Sequence, residues 1–409
     1  MKALLFCLAV VAGCTAPRAV LAPPAACILS PVMSPPADTL RTFFDDPLPF
    51  FTDHADAPVL FRQAENTLIT VDCLGVVRAG LATKWGREDE GRDWTFKLRD
   101  RLRDGTPISA RSIVDYWRRA PEGFAGIDSV AVEGKHAIRI FFKNAQPAIP
   151  RWLGTVKVRA SSTSAVNADP VLFPVHLRGR DVRDLLGENV DVMVTRDPDV
   201  IAYARVLSQM SVHALPWDRT YVLAARSSRL DTARIERNTW GDSTALSGLV
   251  EAIRADARPS EAAPWLETRA RCGTRDIREN ERMPVRRIVY SDDDEVARDL
   301  AERLVALASM TPEAFPESWL KGSEGLVSEG VSPEMILSRF SEGGALVVLA
   351  VPLRALDPCA GWDRLNTLVG EGIEVLPLVD TRPYAIIRKG RVGLAVDGSG
   401  RLIILNEPR

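Results

Sequence analysis

Between Leu68 and Ala120 the hydrophobic period of the chain switches from that of a strand to that of a helix, with a turn signal at the switch. Thr67-Leu68-Ile69-Thr70-Val71-Asp72 and Val76-Val77 read as short strands around a turn at Cys73-Leu74-Gly75. Trp94-Thr95-Phe96-Lys97-Leu98-Arg99 alternates, which predicts a half-buried strand. Asp104-Gly105-Thr106-Pro107 marks a turn, and Ser109 stands where it can cap a helix whose Ile113, Val114, Trp117 and Ala120 share one face. Ser129–Glu133 and Ala137–Phe142 then predict two strands divided by Gly134-Lys135. Strands interleaved with helices in this way imply α/β layers.

The same alternation continues toward the C-terminus. Val182–Leu186 and Val200–Leu207 have helical spacing, with Val190–Val194 as a buried strand between them. Thr220–Ala225 and Arg286–Tyr290 predict strands, and Glu295–Leu307 an amphipathic helix. Ala345–Val351 is an apolar run short enough for a central strand. Glu374–Leu378 and Tyr384–Ile387 follow as strands, and Asp397-Gly398-Ser399-Gly400 turns a terminal hairpin. Residues 227–284 are charged and Arg-rich, and read as mostly helical.

The N-terminus reads as an address. Met1-Lys2 precedes an apolar run, Ala3–Ala12, of the length of a secretory signal and too short for a spanning helix. Val11-Ala12-Gly13-Cys14 looks like a bacterial lipobox, which predicts a signal peptide over residues 1–13 and lipidation of Cys14; a conventional cleavage site after Ala22 or Ala26 is the alternative. Residues 14–49, rich in Pro and Ala, read as a tether between lipid and folded body. An exported chain can oxidise Cys27, Cys73, Cys272 and Cys359, in any of the pairings open to four cysteines.

Charge and motifs narrow the chemistry. The 52 Lys+Arg against 54 Asp+Glu leave a net charge of -2, with no basic excess to hold nucleic acid. A phosphate-cradling loop, a dinucleotide fingerprint, a nucleophile elbow and a zinc-binding H-E-x-x-H are all missing, so nothing in the sequence supports an enzyme or a cofactor. No Cys/His spacing suits a metal. Asp292-Asp293-Asp294 precedes a predicted helix and reads as its cap. Trp85, Trp94, Trp117 and Trp152 read as core residues rather than ligand platforms.

Gly80-Leu81-Ala82-Thr83-Lys84-Trp85, Thr95-Phe96-Lys97-Leu98-Arg99, Asp104–Ala110 and Trp117-Arg118-Arg119-Ala120 occur in that order. The set resembles the extracellular solute-binding protein family 5, the oligopeptide, dipeptide and nickel-chelate binding proteins of ABC importers. Fainter echoes are Gly187–Asp191, Leu356-Asp357-Pro358 and Leu376-Pro377-Leu378. The resemblance implies a two-lobed, periplasmic-binding-protein-like (type II) α/β fold with mixed sheets and a hinge. It places lobe I at 50–225, lobe II at 226–365 and a return to lobe I at 366–409.

It also implies a role: a lipid-anchored, extracytoplasmic monomer that binds a peptide-like or other small polar solute and passes it to ABC permease subunits. The alternative is an envelope lipoprotein that kept the fold and lost the ligand site. The family's peptide binders carry a W-x-A-D-Y-x-D-P pattern whose first Asp holds the peptide amine. Aligning Asp357-Pro358 with its end puts Val351 at the Trp and Arg354 at that Asp. An Arg repels an ammonium group and suits a carboxylate or other anion. Arg354, Asp357 and Trp362 are therefore the expected ligand contacts, with an ion pair from Arg354 to Asp357 or Asp363 as the structural alternative for that arginine.

Overall fold

A computed structural model describes residues 25–31, 39–44, 67–101, 107–119, 126–154, 171–174, 181–188, 190–226, 243–260, 285–310, 325–342, 344–353, 362, 365–367, 369, 373–398, 400 and 402–405. The first two strands, β1 (Ile28–Ser30) and β2 (Thr39–Phe44), lie within the stretch expected to be tether. They belong to the folded body instead: Cys27, Leu40 and Phe43 are buried, and burying those side chains offsets the cost of ordering the segment.

The motif-bearing stretch forms the expected unit. β3 (Ile69–Val71) and β4 (Val77–Ala79) pair antiparallel across the predicted turn. β5 (Ala82–Glu88) and β6 (Asp93–Leu98) precede α1 (Ala110–Arg119), and β7 (Ile127–Gly134) and β8 (Ala137–Phe142) complete a four-stranded antiparallel sheet in the order β5-β6-β8-β7. Alternation sends Trp94, Phe96 and Leu98 inward, where they meet Ile113, Val114 and Trp117 of α1. The Ser109 hydroxyl caps α1 by accepting from the Ser112 amide at 3.2 Å. Trp85, Trp94, Trp117 and Trp152 all pack in or against this core.

A five-stranded mixed sheet follows. β9 (Val171–Pro174) and β10 (Val192–Thr195) both run parallel to β2, which lies between them. α2 (Val182–Gly187) and α3 (Pro198–Val206) cover one face, where Leu185, Leu186, Val200 and Ala204 pack on Phe43 and Met193. β11 (Met210–Ala214) forms one edge.

Residues Arg219–Thr381 build a separate six-stranded mixed sheet. Its members are β12 (Arg219–Arg226), β13 (Ala257–Pro259), β14 (Arg287–Ser291), β15 (Val327–Val331), β16 (Ala345–Pro352) and β17 (Ile373–Thr381), in the order β13-β17-β12-β16-β14-β15. α4 (Ser243–Ala252), α5 (Glu295–Met310) and α6 (Ile336–Ser341) accompany them. The apolar run at β16 is central and covered on both sides. Leu346, Val348 and Ala350 face Leu300 and Leu304 of α5, while Val347, Leu349 and Val351 face Phe340 and Trp362. Asp294 caps α5 as expected, accepting from the Ala297 amide at 2.9 Å, and also accepts from the Tyr221 hydroxyl at 3.1 Å.

The chain then returns. β18 (Tyr384–Arg388) inserts between β10 and β11 in the five-stranded sheet, and β19 (Gly393–Val396) with β20 (Leu402–Leu405) and β1 makes a three-stranded sheet beside it. This last sheet meets the β3–β4 turn closely: the Gly398 amide donates to Val71 O at 2.8 Å. A Cβ on Gly398 would stand 2.7 Å from Asp72 O, so a side chain there would force the two apart.

Cys27 and Cys73 form a disulfide across 46 residues, fastening the N-terminal segment to that turn. Closing a loop of this length constrains the unfolded chain, so Cys27→Ser with Cys73→Ser should lower unfolding free energy by about 2–4 kcal/mol in a urea titration. Phe96, fully buried against α1, should cost about 3–5 kcal/mol when cut to Ala, measured the same way.

Candidate functional site

The two sheet systems are joined, among the described residues, where the chain enters Arg219–Thr381 and where it leaves. On the first-sheet side, β11 pairs with β18, ending at Ala214 opposite Tyr384. On the other side β12 pairs with β17, beginning at Arg219 opposite Thr381. Between these ladders the two crossovers, 215–218 and 382–383, run side by side: the Leu215 amide donates to Pro383 O at 3.0 Å and the Asp218 amide to Thr381 O at 3.3 Å. Each crossover contains a proline, Pro216 and Pro383, which has no N–H to donate to a ladder. Pairing is thus thinned at one level in both segments, the backbone arrangement of a hinge.

Side chains grip this joint from both sheets. Arg196, just past β10 and 7% exposed, donates through Nη2 to both Asp218 carboxylate oxygens at 2.8 and 2.7 Å, and through Nη1 to the Thr381 hydroxyl at 3.3 Å. Asp380, fully buried, accepts from the Thr220 hydroxyl at 2.8 Å and from Arg258 Nε at 3.2 Å. Asp256, beside β13, accepts from Arg382 Nε at 2.7 Å and from the Tyr384 hydroxyl. Trp217 lies at the centre, with the guanidinium of Arg258 4.8 Å and that of Arg382 4.6 Å from its ring centroid. Nearer the surface Arg254 reaches Asp199 at the start of α3, 3.2 Å away. Asp256 and Arg254 from one side therefore meet Tyr384 and Asp199 from the other.

Burial pushes the Tyr384 hydroxyl above its ordinary value of 10.0, and the hydrogen bond to Asp256 and its charge act in the same direction. The hydroxyl stays a donor through the neutral range, and its partner stays satisfied.

The start of the expected ligand segment is at this joint. Pro352 of β16 stands opposite Arg219, and the Leu353 amide donates to Asp218 O at 2.7 Å, so the chain leaves the hinge one residue before Arg354. Arg354, Asp357 and Cys14 lie outside the described residues, as do Cys272 and Cys359. Trp362 is 2% exposed and packs with Phe340, Val351 and Leu365 in the apolar layer that backs the six-stranded sheet; Trp217 packs against the same layer. The residues that close the joint, Trp217, Asp218, Asp256, Arg258 and Arg382, were not anticipated from sequence. The available signal was a proline inside each of two strand-like stretches, Leu215-Pro216-Trp217 and Arg382-Pro383-Tyr384.

This architecture is shared with solved structures. NikZ from Campylobacter jejuni, in complex with Ni(L-His), superposes with a TM-score of 0.56 at 13% identity, covering 88% of this chain and 97% of that one. The ABC transporter substrate-binding protein CtaP from Listeria monocytogenes gives 0.55 at 11%, covering 91% and 100%. The periplasmic murein tripeptide-binding protein MppA, in an unliganded open form, gives 0.53 at 13%, covering 92% and 98%. No family model matches the chain, and no curated protein matches it in sequence. The fold is that of the type II periplasmic binding proteins, and the resemblance read between Leu68 and Ala120 is upheld at that level.

Two outcomes follow for the joint. Asp218→Ala strands the buried Arg196 guanidinium and should cost about 3 kcal/mol, whereas adding Arg196→Ala to it should cost less than the two single changes together. Tyr384→Phe should cost about 1 kcal/mol in urea unfolding. Because the folded-state value is raised, that difference should hold below about pH 10 and fade as the pH climbs through the shifted value.

Proposed function

We propose that this protein is an extracytoplasmic solute-binding protein that closes two lobes about the paired crossovers 215–218 and 382–383 and delivers its cargo to an ABC permease. One lobe is built on the six-stranded sheet and the other on the remaining sheets. The single observation that carries the reading is the joint itself, two adjacent crossovers with a proline in each and no broad apolar seam across them among the described residues. The fold neighbours, one in complex with Ni(L-His) and one a murein tripeptide-binding protein, support the same class.

Arg354 and Asp357 are the proposed ligand contacts, carried on the segment that leaves the joint at Leu353. An arginine in that place favours a solute bearing a carboxylate or other anionic group, such as a peptide-like acid, over one presented by its ammonium end. The protein is held at a membrane by acyl chains on Cys14, within Val11-Ala12-Gly13-Cys14, which anchor stably when more than one chain is attached. The Cys27–Cys73 disulfide suits the oxidising compartment outside the cytoplasm.

Thermal unfolding against a panel of acidic, neutral and basic di- to tetrapeptides and small organic acids tests this. A cognate solute at a hundred times its Kd should add about 2.7 kcal/mol of stability. Arg354→Ala should weaken binding about ten- to a hundredfold while leaving the unliganded Tm unchanged. A panel in which no solute moves Tm would contradict transport and favour an envelope lipoprotein that keeps the fold without the site.

A further inference from the structure

We propose that the turn Leu74-Gly75-Val76 is a membrane-contact tip that seats the first lobe on an anionic lipid surface; this rests on the acyl anchor at Cys14 proposed above. Leu74 is 63% and Val76 46% exposed, side by side on one turn. The turn is rigid rather than frayed. The Asp72 carboxylate accepts from the Leu74 amide at 3.0 Å and the Val76 amide at 2.9 Å, and the Asp72 amide donates to Val76 O at 3.0 Å. Gly75 completes it with φ +77, a conformation that side chains rarely adopt. The two apolar side chains therefore cannot fold back onto the body and are held outward.

Position makes this more than a stray apolar patch. Cys73, adjacent to Leu74, is bonded to Cys27, so the tip stands where the N-terminal segment joins the body. Cys14 stands thirteen positions before Cys27, a span of at most about 45 Å, so an anchored chain cannot carry the tip far from the bilayer. The charge beside the tip suits lipid headgroups. Arg151 is exposed, and its guanidinium lies 3.5 Å from where a Cβ on Gly75 would stand. Arg78 is paired with Asp72 at 2.8 Å, whereas Arg151 makes no ion pair among the described residues. Small apolar side chains at the headgroup–acyl boundary with a guanidinium at the phosphates is a stable interfacial arrangement.

The test uses the full acylated chain on vesicles of phosphatidylcholine with one part in about four phosphatidylglycerol, and on pure phosphatidylcholine. An environment-sensitive fluorescent amino acid replaces Leu74 in one sample and Lys135, at the exposed β7–β8 turn, in another. Flotation reports anchoring separately. The proposal expects a blue shift at position 74 on the anionic vesicles, a weaker one after Arg151→Glu, and none at position 135. A chain that floats without a shift at 74 overturns the tip and leaves the anchor standing. A chain that does not float, and behaves like Cys14→Ser, overturns the anchor and the tip with it. A shift that arises only when permease is in the vesicles assigns the tip to a protein partner and also overturns the proposal.

Discussion

The Arg196–Asp218 ion pair sits where the chain passes from one sheet system to the other, and much of the architecture is arranged around that passage. Arg196 is almost wholly buried, so its charge must be met where it stands. Asp218 meets it from within the crossover, and Thr381 from the returning segment. The pair thereby fixes both crossovers against the end of β10. Beyond it the prolines remove ladder donors, and Trp217 fills the space with a ring that two guanidinium groups flank. Stacking of this kind depends less on angle than a hydrogen-bond ladder does, which suits the hinge proposed above.

The lobe outside the six-stranded sheet faces a different problem, because its sheets come from segments far apart in sequence. β2 and β18 must find strands from the middle of the chain, and β1 must find β19 near its other end. The Cys27–Cys73 bond and the close approach of Gly398 to the β3–β4 turn hold this three-way contact. Asp72 is the common point: its carboxylate shapes the turn and engages Arg78, and its backbone bridges to Asp397. A rigid turn is thus a by-product of fastening the N-terminus, and it leaves Leu74 and Val76 in solvent.

Elements with a clear local period were legible in the sequence. Trp94–Arg99, the Ser109-capped helix, the apolar run at β16 and the terminal hairpin all form where period and turn chemistry put them. Asp294 of the Asp292–Asp294 cluster caps α5 because it stands at the positive end of that amphipathic helix. The strands at 28–30 and 39–44 were not legible, since each is short, lies among prolines, and is a strand only because a distant partner pairs with it. The joint was hidden for a similar reason. Trp217, Asp256, Arg258 and Arg382 form no spaced motif, and the pairing of β17 with both β12 and β13 brings them together. Trp362 shows the limit of carrying a role over by neighbourhood, for its indole lies in the core layer.

In the proposed closure, two rigid lobes turn about the paired crossovers. Its most direct measurement is the distance between spin-labelled unnatural amino acids at Lys135, on the four-stranded sheet, and Glu302, on α5, both exposed. Double electron–electron resonance should give a broad or two-peaked distribution in the free protein that collapses to the shorter distance with a cognate solute. One narrow distance, unchanged by every solute in the panel and by Trp217→Ala, would contradict the account.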